Sequence, residues 1–128
     1  MPELPEVHTI SQDLKNNIVG YKIENIQIER NYKIPEIEKI RLGKIKDKKI
    51  SDVERIAKNI VIKLFENEFL VFHLAMTGRI ILTPLKEKKD KWTKIVFKIS
   101  KNEDEKYLKF CDMRQFGKVN VLDKVELR

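Results

Sequence analysis

Between Pro5 and Asn17 the apolar residues Val7, Ile10 and Leu14, followed by Ile18, recur at the spacing of one helical face. The residues in front of them suit a helix start. Pro2 and Pro5 cost little where first-turn N–H groups lack partners, and Glu3 and Glu6 put negative charge at the positive end of the dipole. Gly20 is the expected stop. Beyond it the period falls to two: Tyr21 to Arg30 reads as a strand with Ile26 and Ile28 on one face. A short second helix is expected over Pro35 to Leu42, where Ile37, Ile40 and Arg41 face different ways. Further strands are expected near Lys49 to Ala57, Ile60 to Phe65, Phe69 to Leu74, Arg79 to Thr83, Trp92 to Ser100, Glu105 to Asp112 and Lys118 to Leu122, joined by short polar turns. The pattern predicts a mainly β chain: an antiparallel β-sandwich of about eight strands, with an N-terminal α-helix and a second short helix.

At 128 residues the chain has room for one domain with a real core. Its net charge of +7 favours a polyanionic partner, with nucleic acid ahead of anionic membrane or acidic protein. The stretch from Lys86 to Lys94 carries five lysines against two acids and only Trp92 as an apolar residue, and reads as a solvated loop. Cys111 is the only cysteine, so no intrachain disulfide and no cysteine-rich zinc site can form within the chain. It is expected to be a buried strand residue, and a free thiol fits a cytoplasmic location. With His8 and His73 far apart, no metal or other cofactor is expected here; His73 reads as a strand histidine bonded to a neighbour and His8 as a solvent-facing helix residue. No apolar run approaches the roughly 18 residues of a membrane helix, and no secretion signal is evident.

The opening MPELPEV carries the most chemical information. Methionine before proline is a usual substrate for N-terminal methionine removal, which would leave Pro2 as a free secondary amine beside the carboxylate of Glu3. A secondary amine attacking a sugar C1′ forms an iminium ion that is permanently cationic and serves as an electron sink for elimination. At a helix N-terminus the ammonium form is disfavoured, so the free amine is more available near neutral pH. Glu3 is suited to move protons at the sugar or leaving group.

This opening resembles that of the formamidopyrimidine-DNA glycosylase and endonuclease VIII family, whose members use such a proline as nucleophile. Further matches follow in the family's order. Lys58, in RIAKNIVIKL, resembles a hairpin lysine that contacts phosphate beside the lesion, and Glu6 stands where the family has a glutamate near the flipped nucleotide. Met76 in HLAMTGR, and Arg114 with Phe116 in DMRQFG, resemble the three residues that enter the duplex where the damaged nucleotide has left the stack. Those side chains also make physical sense. An extruded base leaves a hole and an orphaned partner; Met76 and Phe116 can fill and wedge, and Arg114 can offer several donors to the partner base. Gly78 and Gly117 adjoin them and suggest turns.

The departures are specific. The family commonly has a proline and two successive arginines before the phenylalanine, where this chain has Met113, Arg114 and Gln115, and the histidine often found after the long loop is not evident around Lys91 to Lys94. Leu4, Met76, Arg114 and Phe116 favour the formamidopyrimidine branch. The resemblance implies that residues 1–128 form the N-terminal catalytic domain, without the helix–two-turn–helix and zinc-finger half. It implies a monomeric glycosylase with lyase activity that removes oxidised purines from double-stranded DNA and cuts abasic sites by β,δ-elimination, weak or inactive as an isolated domain. A non-catalytic module binding damaged DNA, an endonuclease VIII-like enzyme for oxidised pyrimidines, and a protein-interaction sandwich are the alternatives. Retention of Met1 would make the Pro2 nitrogen an amide and favour the first of them.

Overall fold

The computed structural model describes residues 4–30, 32–75, 77–84, 91–113 and 118–127. Among them the order is α1 (Leu4–Ile18), β1 (Lys22–Ile28), α2 (Glu36–Lys44), β2 (Ile50–Ile56), β3 (Asn59–Leu64), β4 (Glu68–His73), β5 (Gly78–Thr83), β6 (Thr93–Lys101), β7 (Asp104–Asp112), β8 (Lys118–Asp123) and α3 (Lys124–Leu127). The strands form two four-stranded sheets, β1-β6-β7-β5 and β2-β3-β4-β8, with every pairing antiparallel. The sandwich and both expected helices are present. The four-residue α3 is additional: it starts with a reciprocal cap in which the Glu126 N–H donates to Asp123 Oδ1 and the Asp123 N–H to Glu126 Oε1.

The sheets meet through one core. Phe72 of β4 is 1% exposed, and its ring lies 5.9 Å from Phe97 of β6 and 5.8 Å from Phe110 of β7. These tilted contacts join the two layers directly. β1 contributes Ile23, Ile26 and Ile28 to the same core, although strict alternation would turn Ile23 the other way. A register shift between Ile23 and Asn25 resolves the conflict.

Each edge of the second sheet has a helix beside it. α1 ends at Ile18, two residues before Gly20, whose φ of +92° suits glycine and whose N–H donates to the Ile50 carbonyl. From there α1 runs back along β2, burying Val7, Leu14 and Ile18 and pairing Lys15 with Asp52 at 3.3 Å. At the other edge, β8 meets α2. Arg41 donates to the Val121 carbonyl at 3.0 Å, and the Val121 N–H donates to Glu38 Oε2 at 3.2 Å, so side chains satisfy backbone groups that an edge leaves open. Leu42 is the buried residue of α2, while Ile37 and Ile40 are exposed.

One local expectation is corrected. Lys94, read as part of a solvated run, is 2% exposed within β6. The ladder slips between Thr93 and Ile95, so Lys94 is the extra residue of a bulge and is enclosed. Cys111 is fully buried on β7, as expected.

Candidate active site

The residues that flank three segments are consecutive across one rim of the second sheet. Asn59 opposes Ile56 on one side and His73 on the other, and His73 opposes Lys118. The 57–58 turn, the segment after His73 and the segment before Lys118 therefore leave the sheet at the same end. The first sheet adds the other ends of two of them, since Gly78 opposes Asp112.

The helix start reaches that level too. α1 meets Ile50 and Asp52 near its C-terminus and runs toward the other end of β2. Fifteen helical residues span about 22 Å and seven strand residues about 23 Å, so the two elements cover the same length. Glu6, in the first turn, is exposed.

Lys58 occupies the second position of a two-residue hairpin turn and is half-buried. Ala57 before it has φ +54°, an uncommon conformation for a residue with a Cβ, and its carbonyl accepts a 2.9 Å hydrogen bond from Arg55. Next to this turn, Asn59 Oδ1 lies 3.0 Å from His73 Nδ1, the neighbour contact expected of that histidine. His8 is exposed.

The turn after β4 is tight. The Gly78 N–H donates to the Leu74 carbonyl at 2.8 Å, and Ala75 is left-handed with φ +53°. A Cβ on Gly78 would be driven into the Leu74 carbonyl oxygen and come within 2.9 Å of its Cα, so glycine is required there by space. Thr77 Oγ1 donates to Asp112 Oδ1 at 2.5 Å, and Asp112 is fully buried. Sequence reading missed this pair. Both residues flank motif positions, but the contact joins chain segments 35 residues apart.

Of the expected site residues, Lys58 and Glu6 are described, whereas Pro2, Glu3, Met76, Arg114 and Phe116 lie outside the described residues. Among the described residues no group of three or more His, Cys, Asp or Glu is arranged to hold a metal, and no helix is long and apolar enough to cross a membrane.

Buried beside this region, Tyr32 has its phenol pushed up to about 12, by burial first and by the negative charge of Asp112 second. Its neutral form is the one the fold favours, so this contribution to stability is complete below about pH 10 and is lost as pH rises through about 12. An alkaline absorbance titration should show a late phenol step, and Tyr32→Phe should remove it. Persistence of that late step in the variant would contradict the placement of Tyr32.

The family profile described as "Formamidopyrimidine-DNA glycosylase N-terminal domain" matches residues 1–119. The chain belongs to the formamidopyrimidine-DNA glycosylase family. Curated family relatives include the glycosylase of Rickettsia africae, 34% identical over 119 residues, and that of Pelotomaculum thermopropionicum, 36% identical over 121. Each alignment covers 93% of this chain and 42% of the relative, so the chain spans less than half the length of these formamidopyrimidine-DNA glycosylases. Among solved structures, Lactococcus lactis Fpg in complex with abasic-site DNA superposes with a TM-score of 0.85 at 26% identity, over 98% of this chain and 45% of that one. A MutM structure with DNA containing carbocyclic 8-oxo-G gives 0.84 at 28% identity, over 98% and 46%.

Proposed function

We propose that this chain is the catalytic N-terminal domain of a base-excision DNA glycosylase with abasic-site lyase activity, acting on oxidised purines in duplex DNA. The observation that carries the reading is the family match over residues 1–119, which includes the opening Pro2-Glu3 string. The shared rim of the 57–58 turn, the 74–78 turn and the segment after Asp112 supports it, since a nucleophile, a phosphate contact and void-filling residues must serve one nucleotide.

In this reading the Pro2 amine attacks C1′ of the damaged nucleotide and the base leaves with a proton supplied through Glu3. The attached nitrogen loses its proton and its lone pair expels O4′ from C1′, so the sugar ring opens, O4′ leaves as a hydroxyl with a proton from Glu3, and a C1′=N iminium remains. It withdraws electrons as the C2′ proton departs, and successive eliminations break the 3′ and 5′ phosphate bonds. Lys58 holds the phosphate beside the lesion, while Glu6 faces the extruded nucleotide. Met76 and Phe116 occupy the vacated space and Arg114 addresses the orphaned base. The chemistry needs no cofactor in this domain.

The test is release of an oxidised purine from duplex DNA with scission at that site. DNA affinity should be weak and fall steeply between low and high salt, because a +7 domain binds chiefly by displacing counterions from phosphates. Lys58→Ala should lower affinity and strand scission by about tenfold, as for one lost hydrogen bond to a charged group. Affinity that ignores salt, or scission indifferent to Lys58, would contradict this assignment.

A further inference from the structure

Two polar side chains that the chemistry above does not use are bonded where the segments assigned to void filling join β5 and β7. Thr77 directly follows Met76, and Asp112 stands two residues before Arg114. The backbone brings their segments together, since Gly78 opposes Asp112 across β5 and β7 and the Asp112 N–H donates to the Trp92 carbonyl at 2.9 Å. A fully buried carboxylate is costly unless hydrogen-bonded. Here the hydroxyl beside the start of β5 donates to the last residue of β7, so the bond ties together the strand ends from which the two segments continue.

We propose that Thr77 and Asp112 are positioning residues that fix the Met76 loop relative to the Arg114 and Phe116 loop, so that the three side chains enter the duplex as one wedge. The proposal rests on the void-filling reading given above. Its physical basis is preorganisation. Two half-plugs on independently moving strand ends must each be ordered whenever a nucleotide leaves the stack, whereas strand ends already tied together lose less freedom at that step. Next to Thr77, the Gly78 N–H bond to the Leu74 carbonyl fixes the start of β5 against the end of β4.

Thr77→Val keeps the branched shape and removes the donor, while Thr77→Ser keeps the hydroxyl. Three readouts separate the possibilities: single-turnover release of an oxidised purine from duplex DNA, borohydride trapping on duplex that is already abasic, and fluorescence of 2-aminopurine opposite a stable abasic analogue. Thr77→Val should slow base release by about tenfold and leave trapping within about threefold. It should also reduce the change in 2-aminopurine signal on binding. Thr77→Ser should restore base release to within about threefold of wild type.

Unchanged base release and fluorescence in Thr77→Val would overturn the proposal, as would equal losses in release and trapping, the mark of a general structural defect. A wild-type protein that traps on abasic DNA without altering the opposing 2-aminopurine would overturn the void-filling reading and the pair's role with it. Failure of the pair alone leaves that wild-type signal intact.

Discussion

Borohydride reduction during incubation with abasic-site duplex DNA should leave the chain covalently attached to DNA through its N-terminal peptide. Only an iminium is reduced to a stable amine, and an iminium formed by Pro2 has no N–H to lose, so it stays cationic until reduced or hydrolysed. The expectation requires removal of Met1, because the Pro2 nitrogen is otherwise an amide. A protein that retains Met1 still offers a primary amine, but displaced by one residue from Glu3 and from the rim. Trapping should then fall by about a hundredfold, the cost of an ångström-scale misplacement of a reacting group. Pro2→Gly, with Met1 removed, keeps an amine at the right place and loses the ring's fixed geometry, so partial trapping is expected. Glu3→Gln should hinder base removal more than trapping on a pre-formed abasic site, where the open-chain aldehyde needs less proton transfer. Peptide mapping of the adduct decides the matter. An adduct on Lys58 that persists when the N-terminus is blocked would make Pro2 a helix-start residue and nothing more.

Replacing Phe72 with alanine should destabilise the fold by about 3–5 kcal/mol, the range for deleting a large aromatic from a closed core. Phe72 is among the largest fully buried side chains and packs against both Phe97 and Phe110, so its removal empties the junction between the sheets. Against a total stability of roughly 5–15 kcal/mol, that loss is a large fraction. The urea midpoint should fall with little change in slope. Ile37→Ser, on the exposed side of α2, should by contrast stay within about 0.5 kcal/mol of wild type. A Phe72→Ala loss below about 1 kcal/mol would mean that the sheets are not joined through this ring.

The legibility of the elements was high where the signal is local. α1 extends one residue beyond each expected end, and the second short helix lies within two residues of its expected bounds. The expected strands correspond to observed ones, because alternation toward a core and helical spacing are written into neighbouring residues. Family membership was legible for a related reason: the opening string and the motifs around Lys58, Met76 and Arg114 are short contiguous patterns. Where local periodicity misled, a register slip was responsible. Ile23 joins Ile26 in the core across one bulge, and Lys94 is enclosed at another.

The eight strands, the first two helices, the antiparallel sandwich and the family were therefore legible in the chain alone. Only the tertiary structure decided which ends share a rim, how the β8 edge is satisfied by Glu38 and Arg41, and that Thr77 bonds to Asp112. The physical reason lies in range. Side-chain periodicity is fixed by backbone geometry within a few residues, so it can be read without knowing the rest of the chain. A hydrogen bond between segments 35 or 80 residues apart depends on strand order, register and the closure of one sheet over the other, and those exist only once the whole chain has folded.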